Sequence, residues 1–177
     1  MKIISVFFFL FISTNSFAQF WVGGQMNVAY WDTHEGKDVN GAHEGFTLNG
    51  GYRFNQFLGL ESFYKWNKWR TPQFDQDPSN RISILYNDQV IGAGARGYYK
   101  WFSATAGVAL HHVTTELSYI GSTKANENGG YDTIRPYMGG GIVIPRYPNV
   151  QPYLEVVYYP AKDFDLIDFV IGGRYYF

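Results

Sequence analysis

Alternation is the feature of this sequence that most limits its fold. From Phe20 onward apolar side chains recur at every second position, as in Phe20, Val22, Gly24, Met26, Val28 and Tyr30 against Trp21, Gly23, Gln25, Asn27 and Ala29. Successive side chains of a strand point to opposite faces, so such a run has one apolar face and one small or polar face. The pattern returns over Phe46–Phe54, Leu58–Trp66, Ile91–Tyr99, Phe102–Leu110, Ile134–Ile144, Leu154–Tyr158 and Ile167–Phe177. These are eight segments of about ten residues, the length at which a tilted strand crosses a bilayer. No stretch after residue 18 sustains a 3.6-residue period, so essentially no helix is expected there.

The connections alternate too. Asn55-Gln56 and the turn near Lys100 are very short, and Pro145 to Asn149 is modest. Asp32 to His43, Arg70 to Gln89 and Thr114 to Gly130 are long and polar, with a shorter link from Pro160 to Asp165. Short turns at one end and long loops at the other are the pattern of an up-and-down barrel with periplasmic turns and extracellular loops, which puts both termini in the periplasm. Within the connection from Arg70 to Gln89, Arg81 to Tyr86 is suited to extending a hairpin beyond the membrane. Pro136 and Pro152 fall inside strand segments, where each removes a ladder donor, so bulges or frayed pairing are expected at both.

A soluble barrel also alternates, with its apolar face inward. The second face separates the two cases. Here it is Gly, Ser, Thr, Ala and Asn with one or two charges per strand, whereas a face in water is rich in Lys, Glu and Asp. Charged residues make up 16% of the chain, against roughly 25% in a typical soluble domain. Aromatic residues make up 20%, and 20 residues are Gly. The small face therefore suits a narrow interior, and the apolar face suits lipid. Trp66, Trp69, Trp101, Tyr175 and Phe177 are candidates for the interfacial aromatic girdles.

The N-terminus reads as a secretory signal peptide over residues 1–18. Lys2 is followed by an apolar run from Ile3 to Ile12 and by Ser16-Phe17-Ala18, with small residues at the two positions a signal peptidase reads. A spanning helix needs roughly 20 apolar residues, which this run lacks. The barrel domain is then 19–177. The chain has no Cys and a formal charge of −1, so it has no disulfides and no basic footprint for nucleic acid.

The stretch from Gly45 to Tyr64, with Gly51-Tyr52-Arg53-Phe54 leading into Leu60-Glu61, resembles strands two and three of the small eight-stranded outer-membrane barrels, the OmpA/OmpX-like, porin-family proteins. Pro136-Tyr137-Met138-Gly139-Gly140-Gly141 resembles their sixth strand. Gly172, Tyr175 and Phe177 match the C-terminal signal of such barrels, which by resemblance the barrel-assembly machinery reads. Val170 departs from it, because a polar residue usually stands there. Relatives include structural barrels, adhesins and lipid-modifying enzymes, so the resemblance implies the fold and leaves the activity open.

Inward parity collects Arg53, Glu61, Lys65, Arg96, Arg135, Glu155, Asp168 and Arg174. Of these Arg53, Glu61, Arg96, Glu155 and Arg174 fall near the short-turn end and are expected to form a salt-bridge network that plugs the lumen, since buried charges persist when paired. His111 and His112 point to opposite faces and do not chelate together. His34 and His43, with Asp32 and Glu35, lack the spacing of a metal site. His112 and Thr114 share a face, but the His-x-Ser of lipid-modifying barrels is absent. Trp69, Phe74, Tyr119 and Tyr131 are loop aromatics suited to holding a partner. The expectation is a monomeric, non-enzymatic barrel of the Gram-negative envelope without cofactor or metal. Its partners would be outer-membrane lipid, lipopolysaccharide, the assembly machinery and an extracellular ligand held by the long loops. A narrow pore, a lipid-A-modifying enzyme and a soluble periplasmic barrel are the alternatives.

Overall fold

The computed structural model describes residues 19–33, 42–70, 74–77, 80–120, 127–144, 149–160 and 164–177. The signal-peptide segment and His34 lie outside them, as do the side chains of His43, Trp69, Phe74 and Tyr119. The strands are β1 (Gln19–Thr33), β2 (Ala42–Arg53), β3 (Leu58–Arg70), β4 (Phe74–Asp77), β5 (Asn80–Tyr99), β6 (Phe102–Ile120), β7 (Glu127–Val143), β8 (Val150–Tyr159) and β9 (Phe164–Tyr176). Among the described residues there is no helix. Eight strands follow one another around the wall, each antiparallel to the next, and the β3–β5 pairing closes the ring. The ninth, β4, is a short addition that pairs with the far end of β5.

Closure fixes the geometry. Cross-strand partners run Phe20–Tyr52–Leu60–Ala95–Ala106–Met138–Tyr158–Ile167 and return to β1 at Tyr30. The row leaves β1 at Phe20 and comes back at Tyr30, a stagger of ten residues over eight strands, which tilts the strands by about 40°.

The outward parity is the apolar one. Met26, Val108, Ile134 and Ile171 all point away from the lumen, and Ile134 is 74% exposed. On β6 the outward positions Phe102, Ala104, Ala106, Val108 and Leu110 are all apolar, and the next is His112. Eight steps of about 3.3 Å at that tilt give roughly 20 Å, close to the ~25 Å apolar belt of a bilayer-spanning barrel. Apart from Ser62 on β3, polar outward residues begin beyond it at Lys68, Gln89, His112 and Asp132. Girdle side chains reach toward that layer: Tyr64 donates its hydroxyl to Gln89 (3.2 Å) and Trp66 donates Nε1–H to Asn87 (2.5 Å). At the short-turn end Tyr175 and Phe177 stack edge to face at 5.3 Å.

The inward side is packed by pairing large side chains with glycines. A Cβ on Gly92 would lie 2.2 Å from the Phe63 ring, and one on Gly94 would lie 2.4 Å from the Tyr137 hydroxyl. Phe63 and Tyr137 then meet edge to face at 5.4 Å across the lumen. The wall gives up side chains where a ring from another strand needs the volume.

Two expectations are revised and one is met. β5, β6 and β7 run to 20, 19 and 17 residues, well into segments read as loops. The Arg81–Tyr86 hairpin extension is present as the paired ends of β5 and β6, with Arg81 opposite Ile120. The ladders pass Pro136, opposite Val108, and Pro152, opposite Gly173, without a bulge, and the described register shift lies instead between Asp75 and Asp77. The β7–β8 ladder starts at Met138, two residues beyond Pro136, where β8 ends.

Gly92→Leu places a branched side chain inside the Phe63 ring and is expected to block closure. Loss of the fast-migrating unheated band on a detergent gel would show this. Outward Ala93→Leu on the same strand should keep the band.

Candidate functional site

Two regions carry the polar chemistry: the lumen and the long-loop end. In the lumen Arg96 on β5 is the hub. Its Nε donates to Glu61 Oε2 at 2.6 Å, and Nη2 donates to Glu61 Oε1 at 3.1 Å and to Glu155 Oε2 at 3.0 Å. Nη1 contacts the other Glu155 oxygen. Arg174 reaches Glu155 from β9, Nη2 to Oε1 at 2.9 Å. Ser103 donates to Glu155, and Thr105 to Glu61. All four charged residues are buried. The Arg174 guanidinium also lies 3.9 Å from the centre of the Tyr153 ring. Two arginines and two carboxylates from four strands thus neutralise one another across the barrel.

Arg53 stands outside this cluster, contrary to expectation. Its Nε donates to Asn55 O at 3.0 Å and its Nη2 to Gln56 O at 2.7 Å, with the guanidinium 4.2 Å over Tyr98. It sits at the last inward position of β2, where the adjacent turn carbonyls are nearer than any lumen carboxylate. Asn55 completes that turn by accepting from the Phe57 and Leu58 amides.

Further along the lumen Lys65 Nζ pairs with Asp168 at 2.6 Å and lies 4.3 Å over the Tyr159 ring. His111 Nδ1 lies 3.1 Å from Asp88, both buried. Asp88 escaped the sequence reading because it lies in a segment taken as loop. Its signal was parity: Asp88 shares the inward register of Gly92, Gly94 and Arg96. Internal space at the Arg96 level is about 20 Å³, enough for about one water.

Of the histidines, His111 faces in and His112 faces out. His112 Nδ1 lies 2.6 Å from Asp132, both exposed. Thr114, next on that face, donates its hydroxyl to the Asn87 carbonyl at 3.4 Å. Among the described residues no three His, Cys, Asp or Glu side chains stand together as a metal site. Of the C-terminal set, Tyr175 and Phe177 face outward, while Gly172 faces inward under the Tyr153 ring.

At the long-loop end β5, β6 and β7 rise past the other strands as one sheet, with β4 added on the β5 side. A polar recess on its outer face is lined by Lys68, Asn87, Thr114, Glu116 and Asn128.

No family model and no curated protein matches the sequence. Solved structures do match. The attachment invasion locus protein Ail of Yersinia pestis, in complex with the heparin analogue sucrose octasulfate, superposes with a TM-score of 0.68 at 15% identity, over 90% of this chain and 99% of that one. Neisserial surface protein A matches with a TM-score of 0.53 at 15% identity, over 90% and 99%. Ail in a phospholipid bilayer nanodisc matches with a TM-score of 0.50 at 16% identity, over 88% and 99%. With an apolar exterior, a charge-paired lumen and a closed ring of eight antiparallel strands, the chain has the fold of the small eight-stranded bacterial outer-membrane β-barrels.

Proposed function

We propose that this chain is a closed outer-membrane anchor that holds a sheet outside the cell for interaction with a partner. The observation that carries this reading is the unequal length of its strands. β8 has 10 residues and β5 has 20, so β5, β6 and β7 stand clear of the bilayer on one side. Membrane crossing needs only about ten residues per strand, so the excess serves something beyond crossing. Ail, which shares the fold, is an attachment protein by name. On this reading the long loops face outward, both termini are periplasmic, and outer-membrane lipid surrounds the wall. Tyr175 and Phe177 serve the assembly machinery as its C-terminal signal.

Labelling tests the orientation. The chain has no Cys, so single cysteines report cleanly. On intact cells a membrane-impermeant maleimide is expected to label Asn128→Cys. It should label Gln56→Cys only after the outer membrane is permeabilised, and the reverse result would sink the orientation. Replacing residues 112–132 with an Asn-Gly turn removes the protruding part of β6 and β7 and closes the sheet at the His111–Thr133 pair. Cells carrying that variant are expected to lose adhesion to host cells or matrix while the barrel stays heat-modifiable; unchanged adhesion would refute the role.

The lumen is a closed plug on this reading, because its ion pairs fill the section a pore would need. Planar-bilayer recordings should show no conductance steps. Arg96→Met strands Glu61 and Glu155 without their shared cation and is expected to cost about 3–5 kcal/mol in a urea titration of the refolded barrel. Arg53→Met leaves both carboxylates paired and should cost much less.

A further inference from the structure

The outer wall of β6 carries chemistry that an anchor does not use. Its outward residues Phe102, Ala104, Ala106, Val108 and Leu110 are followed on the same face by His112. The cross-strand partners of His112 are Gln89 on β5 and Asp132 on β7. The three side chains therefore form one row at one height, outside the lumen and directly above the apolar belt. Parity along β6 alone offers only His112 and Thr114; the other two members come from the flanking strands.

Each member of the row is held. His112 Nδ1 lies 2.6 Å from Asp132 Oδ1. With that N–H donated to the carboxylate, the neutral ring keeps its lone pair on Nε2, which has no partner among the described residues. On the other side Tyr64 donates its hydroxyl to Gln89 Oε1 at 3.2 Å, which orients the amide and leaves its NH2 as a donor. A carboxylate that orients a histidine, an open nitrogen that can act as base and an amide donor beside it are the parts of an acyl-transfer site. Thr114 is not a fourth part, because its hydroxyl is given to the Asn87 carbonyl. The nucleophile left to such a site is water. As an ion pair alone His112–Asp132 adds little to stability, since both side chains are more than half exposed.

Height selects the substrate. A lipid whose chains lie along Phe102 to Leu110 ends its hydrocarbon where the belt ends, which brings its acyl ester linkages to the level of His112. We propose that His112, Asp132 and Gln89 form a hydrolytic site for acyl esters of membrane lipid, with water as the second substrate. His112 Nε2 takes a proton from water as the water oxygen bonds to the ester carbonyl carbon, and the Gln89 amide holds the oxyanion. The C–O bond to the alcohol then breaks. The proton on Nε2 passes to the leaving alkoxide, giving a fatty acid and a lipid with one chain fewer. Asp132 is a positioning residue that fixes the ring and its tautomer. Glycerophospholipids and acylated glycolipids both carry this linkage. The orientation proposed above enters only in placing the site at the outer leaflet.

The test uses the full barrel, refolded from urea so that no other esterase accompanies it, in mixed micelles with a diacyl glycerophospholipid or with lipopolysaccharide. Fatty acid release is followed by mass spectrometry. Release is expected from one of the two, and which one identifies the source. His112→Asn and Gln89→Leu should each slow it about a hundredfold. Asp132→Asn should lower kcat about tenfold at unchanged KM, with partial recovery in Asp132→Glu. Thr114→Val should match the parent, and every variant should stay heat-modifiable. No release from either lipid, or release that survives His112→Asn, would overturn the proposal. Loss of release in Thr114→Val would overturn the water step, and equal turnover of a soluble short-chain ester would overturn the assignment to lipid. Were Asn128→Cys labelled on intact cells and no ester cleaved, this inference would fall and the surface reading would stand.

Discussion

Backbone pairing in lipid is the constraint from which the rest of this structure follows. Inside a bilayer no water is available to a peptide N–H or C=O, and each unpaired group costs several kcal/mol. Strands meet that demand only by closing on themselves. Here closure is made by β3 against β5, the one wall pairing between strands that are not chain neighbours apart from β1 against β9. Ten residues of stagger set the tilt, and the tilt sets a bore that inward side chains can fill. Exterior chemistry is then decided by the solvent it meets, which is why Ile134 and Phe177 are among its most exposed residues without any cost to folding.

A bore this narrow makes the interior a packing problem with charges in it. Rings such as Trp21, Phe63 and Tyr137 fit because Gly51, Gly92 and Gly107 leave room on the next strand. Charges fit because they meet. Arg96 between Glu61 and Glu155 satisfies two carboxylates with one planar fork, a geometry that Lys would not reproduce. Replacing such a cluster by apolar side chains is often neutral or better for stability, so the ion pairs do not explain why the barrel is stable. They do fix register. Glu61, Arg96 and Glu155 come from strands far apart in sequence, and slipping any one by a residue turns its charge out into lipid.

The same physics determines what was legible in the sequence. Parity survives wherever the two faces of a strand meet different media, so the eight segments, the lipid face and the inward charges could be read residue by residue. It disappears above the bilayer, where water lies on both sides. The far halves of β5, β6 and β7 therefore looked like loops, although Ile82, Ile84, Val113, Thr114 and Thr115 favour strands. Asp88 was lost with them. Partners across the lumen depend on the stagger, which no local pattern encodes: Lys65 finds Asp168 across 103 residues of sequence. Arg53 shows the limit of parity even within a strand. Its face was read correctly, but its height was not, and at the rim the carbonyls of its own turn win over a distant carboxylate.

Charge is distributed along the barrel axis as unevenly as strand length. Among the residues whose side chains are described, a formal −1 conceals a long-loop end with Glu44, Glu116, Asp132 and Asp165 against Lys68, and a short-turn end with Arg53 and Lys100, separated by an apolar belt. Nothing in barrel closure requires this, because neither end contributes to the ladder that lipid demands. The extra strand length is equally unnecessary for crossing. Both excesses fall on the same end. Surplus sheet and surplus negative charge are independent of each other in folding terms. What they share is place: on the surface-interaction reading both stand on the side that faces out of the cell, where a partner would meet them first.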